Sequence, residues 1–258
     1  MKKFFKTFFL ILVSAGLIQA QSVQELIKKC DEYIEEKFDN VNALKTIEQA
    51  YKLEQNNFEV LWRMSRAYVD YGEHLPARND KEKEEQLKMF EKALEYAEKA
   101  IKVNPNSSIG YIRRAIANGK IALFKGVFKT ISLVNSVKAD CEKAISLNNG
   151  GEIHQSVALY VLARAHSKVC EKPKFARSII GLGWGDREEA AKLFERAIKM
   201  RPNFIMYRLE AAKNYIEMEN YAKAKEHLSV IPNLPKLDED DDEYRAEARK
   251  LLNEIKNK

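Results

Sequence analysis

The chain has 258 residues, of which 45% are hydrophobic and 32% are charged, so it can form a substantial folded core. With 10 glycines and 6 prolines it is poor in turn residues, which argues against an all-β sandwich or barrel. Three cysteines without a CxxC spacing rule out a zinc finger or a disulfide scaffold. Half of the formal charge of +6 comes from three lysines in the first six residues, so we expect no nucleic-acid partner.

The first 20 residues have the layout of a secretory signal peptide. A basic start precedes an apolar run, and the small residue Ala20 suits the position before a cleavage site. The run is shorter than the roughly 20 residues that a membrane span needs, although an uncleaved anchor is the alternative. The first cysteine is Cys30, which argues against a lipoprotein. We therefore predict a signal peptide at 1–20 and an exported, periplasmic repeat domain at 21–258.

A nine-residue phrase occurs four times along the chain. Each copy has a glutamate, an alanine two positions later, and a proline or asparagine near its end. The copies are 48–56, 98–106, 142–150 and 195–203. Alanine permits close helix packing and the final residues stop a helix, so each copy predicts a helix end.

Further helices are predicted between and after these phrases. The predicted first helices are 58–71, 108–124, 153–169 and 204–218. Ser107 and Ser108 are candidate N-caps of the second of these helices. Asn220 opens a further helix, and a final helix is predicted at 241–256.

The phrase resembles the end of a tetratricopeptide repeat, and the likeness extends upstream of each copy. That family places a small residue seven positions, and a bulky one three positions, before the phrase alanine. The matching pairs are Ala43 and Ile47, Ala93 and Ala97, Val137 and Cys141, and Ala190 and Phe194. The resemblance implies an all-α superhelix of about four helix pairs with a C-terminal capping helix. The phrases are more than 34 residues apart, which indicates inserts around 73–87, 119–136 and 170–185.

A narrower resemblance rests on the order of several short segments. These are EVLWRMSRA at 59–67, ALEYAEKA at 93–100, KG at 125–126, EEAA at 188–191 and RPNF at 201–204. Their order and spacing resemble the regulator of microtubule dynamics family over about residues 23–256. Eukaryotic members of that family are linked to microtubules, mitochondria and membrane contact sites. For an exported chain, we carry over the fold and a non-enzymatic binding role only.

The sequence offers no constellation for catalysis. Its four histidines have no metal-binding spacing, and GxSxG does not occur. We therefore expect no enzyme, no cofactor and no metal site. His166 is predicted to be a hydrogen-bonded core residue, and the cysteines buried and unpaired. The acidic run at 238–243 is expected to complement the dipole of the last helix.

The first helix of each tetratricopeptide pair lines the concave face, so the register of these helices predicts a partner-binding surface. The predicted residues are Trp62, Arg66, Ile112, Ile116, Tyr160, Arg164, Leu209 and Lys213. Two aromatic residues are each followed four positions later by arginine, which can grip a carboxylate or phosphate through two hydrogen bonds. The alternative is that each arginine stacks on its own aromatic ring or pairs with a neighbouring glutamate.

We therefore predict a non-catalytic scaffold that binds a partner peptide or helix in its groove. The alternative function is a carrier of a small ligand or lipid, similar to the tetratricopeptide T component of TRAP transporters. The third insert adds basic and apolar residues at 172–184, a pattern that also fits peripheral contact with an anionic membrane. The competing expectation is that this insert folds back into the groove and buries its apolar side chains.

Overall fold

The computed structural model describes residues 22–258, and the predicted signal peptide at 1–20 lies outside them. Within the described residues the chain is helical without β-strands, and helices adjacent in sequence pack in pairs. The predicted all-α class is therefore confirmed. Contacts divide the helices into two compact units, one ending at Val103 and the other covering Asn104–Lys258. The predicted limits of the signal peptide and of the repeat domain stay predictions.

The first unit contains four helices. They are α1 (22–35), α2 (Asn40–Leu53), α3 (Phe58–Glu73) and α4 (Asp80–Val103). Helix α3 packs against both α2 and α4. The approach of α3 to α4 is close at Gly72, where an added Cβ would lie 2.9 Å from the Cβ of Met89. The first insert, predicted around 73–87, therefore lengthens this helix pair, because α4 already begins at Asp80.

The second unit contains the remaining helices. They are α5 (Ser108–Lys125), α6 (Ile131–Leu147), α7 (Gly151–Val169), α8 (Lys174–Ile179), α9 (Arg187–Met200), α10 (Ile205–Glu217), α11 (Tyr221–Val230) and α12 (Asp241–Glu254). Helix α5 pairs with α6, α7 with α9, and α10 with α11. Helix α12 packs on α10 and α11, as predicted for a capping helix. The second insert lies at the α5–α6 connection and the third contains α8.

Polar side chains fix where several helices begin. The Ser107 hydroxyl accepts a hydrogen bond from the Ile109 backbone N–H at 3.3 Å, so its predicted N-cap role is confirmed. Asn57 caps α3 and Asp186 caps α9 in the same way. Such caps satisfy N–H groups that have no partner inside the helix, and each contributes on the order of 1 kcal/mol. At the other ends, α2, α4, α6 and α9 each stop inside a copy of the repeated phrase.

The positions predicted from the repeated phrase form the cores. The four phrase alanines, Ala50, Ala100, Ala144 and Ala197, are completely buried, and so is Cys141. The three cysteines are unpaired; Cys30 and Cys141 are buried and Cys170 is half-buried. Burial raises the pKa of the Cys30 thiol to about 12, so this thiol stays protonated and unreactive.

Two buried histidines make stability depend on pH. His166 accepts a hydrogen bond from the Asp186 backbone N–H at 3.2 Å, which confirms its core role, and His227 lies 3.1 Å from the Glu195 carboxylate. Burial lowers the pKa of both rings, so below the ordinary value of about 6.5 the unfolded chain binds protons more readily. Their contribution to stability is complete above that pH and is lost as the pH falls.

We therefore expect the free energy of unfolding to be smaller at pH 5.5 than at pH 7.5. The variant His166→Gln/His227→Gln should reduce this difference, because glutamine does not titrate. Urea denaturation at both pH values measures it, with exposed His74→Gln as the control. An unchanged pH difference in the double variant would contradict the assignment.

Candidate functional site

Helix α3 carries the first pair of predicted binding residues. Trp62 is almost completely buried, and its indole N–H donates to the Glu59 carboxylate at 2.8 Å. The guanidinium of Arg63 lies 4.0 Å from the centre of the indole ring. Trp62 therefore stabilises the first unit and has little surface left for a partner.

Arg66 stays partly accessible, with 23% of its side chain exposed. Its Nη1 lies 3.1 Å from Glu35 of α1, and its Nε lies 3.4 Å from Asp70, one turn further along α3. The two acidic residues hold the guanidinium at a fixed position on the surface of the first unit. Pairing with neighbouring acidic residues is the alternative to direct partner binding that the sequence indicates for this arginine.

Three of the predicted binding residues in the second unit belong to its cores. Ile112 and Leu209 are completely buried and Tyr160 is nearly so. The Tyr160 ring stacks on Tyr207 with 4.7 Å between ring centres. These side chains fill space between helices, so the placement of Ile112, Leu209 and Tyr160 on an accessible binding surface is corrected. Aliphatic and aromatic residues suit a helix core as well as an accessible binding surface, and sequence periodicity does not distinguish the two positions.

An ion-pair network joins the other predicted residues of α7 and α10. Arg164 lies 3.2 Å from the Glu210 carboxylate, and Lys213 bridges Glu210 at 3.0 Å and Glu247 of α12 at 2.8 Å. Burial raises the pKa of Glu210, but the charges of Arg164 and Lys213 outweigh this and leave the pKa below its ordinary value. Arg164 also lies 5.8 Å from the Tyr160 ring.

The residues left with accessible surface are Arg66 in the first unit and Ile116, Arg164 and Lys213 in the second. Ile116 is half-buried at the edge of the cluster formed by Ile112, Ala144 and Ala158. The structure thus narrows the predicted surface to three cations and one aliphatic residue. Whether a partner binds them stays a prediction.

A charged groove on α1 was missed by the sequence analysis. It has a volume of about 200 Å³ and is lined by Lys28, Asp31, Glu32, Glu35 and Glu36. These residues are three or four positions apart, so they lie along one side of the helix. This spacing is the sequence pattern from which the groove could have been predicted. Asp31 accepts two hydrogen bonds from Arg63 of α3, each at 2.8 Å.

The third insert contains the short surface helix α8, which buries its arginine and exposes large apolar side chains. Its arginine, Arg177, is buried with 8% exposure, whereas Phe175 is 81% exposed and Ile179 is 71% exposed. The Arg177 Nη1 donates to the backbone carbonyl of Gly185 at 2.6 Å. Leu182 packs in a core with Ala122, Val134 and Val169. The expected burial of the insert's apolar side chains therefore holds for Leu182 and is wrong for Phe175 and Ile179.

Removing the Arg177 guanidinium is expected to loosen this insert. The variant Arg177→Met leaves the Gly185 carbonyl without its donor, a loss of about 1–3 kcal/mol. Hydrogen exchange at the Leu182 amide, which bonds to the Arg177 carbonyl at 2.7 Å, should quicken by about tenfold or more. Exposed Arg249→Met is the control, and unchanged exchange at Leu182 would show that the guanidinium does not hold the insert.

Two absences among the described residues bear on chemistry. No group of three or more histidine, cysteine or acidic residues could hold a metal ion within residues 22–258. No helix in this range is long and apolar enough to cross a membrane.

In the acidic run, the buried Asp241 accepts hydrogen bonds from the backbone N–H groups of Leu237 and Asp238 at 2.7 and 3.0 Å. The run therefore organises the start of α12.

The paired helices and the repeated phrase define a tetratricopeptide-type helical repeat protein. Solved structures with this fold include a tetratricopeptide protein, TTC0263, from Thermus thermophilus. The match covers 88% of this chain and 98% of that one, with 15% identity and a TM-score of 0.62. PilF from Pseudomonas aeruginosa matches 92% of this chain and 93% of that one, with 10% identity and a TM-score of 0.55.

The chain belongs to the family described as "Regulator of microtubule dynamics protein 1-3", which matches residues 26–256. Regulator of microtubule dynamics protein 1 from Bos taurus is 27% identical over 252 residues, which cover 94% of this chain and 76% of that protein. Protein 3 from Rattus norvegicus is 25% identical, and the match covers 92% of this chain and 50% of that protein. The resemblance found in the short segments is thus confirmed.

Proposed function

We propose that this protein is a non-catalytic interaction module that binds a peptide or helix of a partner protein. Its relatives are named as regulators, and tetratricopeptide arrays commonly offer extended binding surfaces. The observation that carries the proposal is the pair Arg66 and Arg164. Each is a partly exposed arginine that lies four residues after a buried aromatic ring and is held in place by acidic residues.

A positioned guanidinium is suited to binding a carboxylate of the partner. It has five N–H donors in a planar fork, which can grip a carboxylate through two hydrogen bonds. The ion pairs of Arg66 with Glu35 and Asp70 are made through Nη1 and Nε. Because the neighbouring carboxylates already fix the side chain, binding costs less conformational entropy.

Replacing the two arginines by lysine tests this proposal. Arg66→Lys/Arg164→Lys keeps both positive charges near Glu35 and Glu210 but removes the planar forks. We expect the amount of partner protein that copurifies from the native host to fall about tenfold or more. Arg78→Lys/Arg249→Lys, at exposed positions, should leave it unchanged. Equal capture by both double variants and by wild type would overturn the assignment of the surface.

Export is part of this proposal, and it is supported by the basic and apolar composition of residues 1–20. We propose that the protein works in the periplasm after cleavage following Ala20. Mass spectrometry of the protein from its native host should then find Gln21 at the N-terminus. A chain that still begins at Met1 would refute cleavage.

Native mass spectrometry separates partner binding from the carrier alternative. A protein that binds a peptide or helix should be recovered bare or with a protein partner. A small apolar molecule or lipid retained at a fixed stoichiometry would replace the present proposal with the carrier function.

A further inference from the structure

The second and third inserts concentrate the net positive charge of the chain. Together, 119–136 and 170–185 contain six of the 44 lysines and arginines and one of the 38 aspartates and glutamates. The rest of the chain has a net charge of +1, which becomes −2 when the three lysines of the predicted signal peptide are left out. The one acidic residue, Glu171, pairs with Lys168 at 2.7 Å.

The two inserts pack against each other within the second unit. Lys172 lies 5.7 Å from the centre of the Phe128 ring, and the Trp184 indole N–H donates to Asn135 at 2.8 Å. Leu182 joins Ala122 and Val134 in one buried cluster. The lysines of both segments are therefore carried by one packed body, which we call the insert knob (119–136 and 170–185).

Helix α8 presents apolar side chains outward from the insert knob. Phe175 and Ile179 are four residues apart and so share a face of the helix, while Arg177 lies on the opposite face. The bonds from Arg177 to the carbonyls of Gly183 and Gly185 hold this orientation. Lys172 and Lys174, next to Phe175 in sequence, are exposed. A helix with its arginine buried and two large apolar side chains in solvent is the reverse of the usual arrangement at a protein surface.

We infer that the insert knob docks on an anionic phospholipid surface, with Phe175 and Ile179 inserted among the lipids and the lysines at the headgroups. Amphipathic segments with lysine beside aromatic and aliphatic side chains bind membranes in this way. A protein partner fits less well, because protein interfaces are depleted in lysine and need a larger apolar centre than two side chains on a six-residue helix. This inference does not depend on the partner-binding surface at Arg66 and Arg164.

Vesicle binding tests the inference directly. The chain from Gln21 onward contains every described core residue and is mixed with vesicles of phosphatidylcholine with 30% phosphatidylglycerol, or of phosphatidylcholine alone. Sedimentation should recover wild type with the anionic vesicles and much less with the neutral ones. Increasing the salt concentration should weaken binding, because surface charge attraction is screened.

Two double variants separate the apolar and the electrostatic contributions. Phe175→Ser/Ile179→Ser and Lys172→Glu/Lys174→Glu should each reduce binding by about tenfold or more. The matched controls, Val41→Ser/Ile153→Ser and Lys45→Glu/Lys52→Glu, change other exposed residues and should bind like wild type. Circular dichroism and melting temperature should be unchanged in all four, because the altered side chains are exposed.

Three results would overturn the inference. One is that wild type does not bind the anionic vesicles. Another is equal binding to neutral vesicles, and the third is wild-type binding by both insert variants. The variant Arg66→Lys/Arg164→Lys should bind vesicles normally, so failure of the partner-binding proposal and failure of this one are distinguishable.

Discussion

Replacing Phe194 by alanine is expected to destabilise the second unit by about 3–5 kcal/mol, because the cavity left by a fully buried phenyl ring cannot collapse completely. Phe194 has no exposed surface and lies against Tyr160 with 6.1 Å between ring centres. It is the bulky residue that precedes the last repeated phrase, so its loss removes a position on which the repeat depends. The effect should appear as a lower midpoint of urea denaturation.

A matched variant and a local probe make this measurement specific. Phe175→Ala removes the same ring from an 81% exposed position and should change stability by less than about 0.5 kcal/mol. Of the two tryptophans, Trp184 lies in the second unit, so a Trp62→Phe background lets fluorescence report that unit alone. A loss below about 1 kcal/mol for Phe194→Ala would contradict the core assignment.

Replacing Arg164 by methionine is expected to destabilise the second unit by about 2–3 kcal/mol, because it leaves the Glu210 carboxylate buried without its main partner. This is below the usual cost of breaking a buried pair, since Arg164 is 29% exposed and Lys213 still lies 3.0 Å from Glu210. The pKa of Glu210 should rise on losing this charge. Less stability should therefore be lost by the variant than by wild type as the pH falls below the ordinary carboxyl pKa of 4.5.

A double-mutant cycle isolates the pair. Arg164→Met/Glu210→Gln should recover part of the loss, because the neutral amide is less costly to bury than an unpaired carboxylate. Urea denaturation of both single variants and the double variant gives the coupling between the two residues. Additive losses would show that Arg164 and Glu210 do not interact.

The helices and core positions could be predicted because their signals are local. The repeated phrase places the ends of α2, α4, α6 and α9, and the spacing upstream of it predicts buried residues such as Cys141 and Phe194. Caps such as Ser107 add the starts of helices. Each of these features depends on residues within one or two turns, which a single sequence shows directly.

The surroundings of the candidate binding residues were harder to predict, because these residues contact side chains that are distant in sequence. The partners of Arg66 and Arg164 are Glu35 and Glu210, which lie on other helices. Periodicity gives the face of a helix on which a residue lies, but not the side chain opposite it. In the third insert, apolar character predicted burial for Phe175. The carbonyls of Gly183 and Gly185 instead accept hydrogen bonds from Arg177, which turns the apolar face outward.

Site-specific photo-crosslinking in the native host tests the central claim of partner binding most directly. A benzophenone amino acid replaces Ile116, the half-buried aliphatic residue on α5, which is the first helix of the α5–α6 pair. In a control chain it replaces the exposed Lys199 on α9, which is the second helix of the α7–α9 pair. If a partner binds the surface formed by the first helices of the pairs, a discrete crosslinked protein should form from position 116 and none from position 199. The absence of a product at 116, or the same product at both positions, would contradict it.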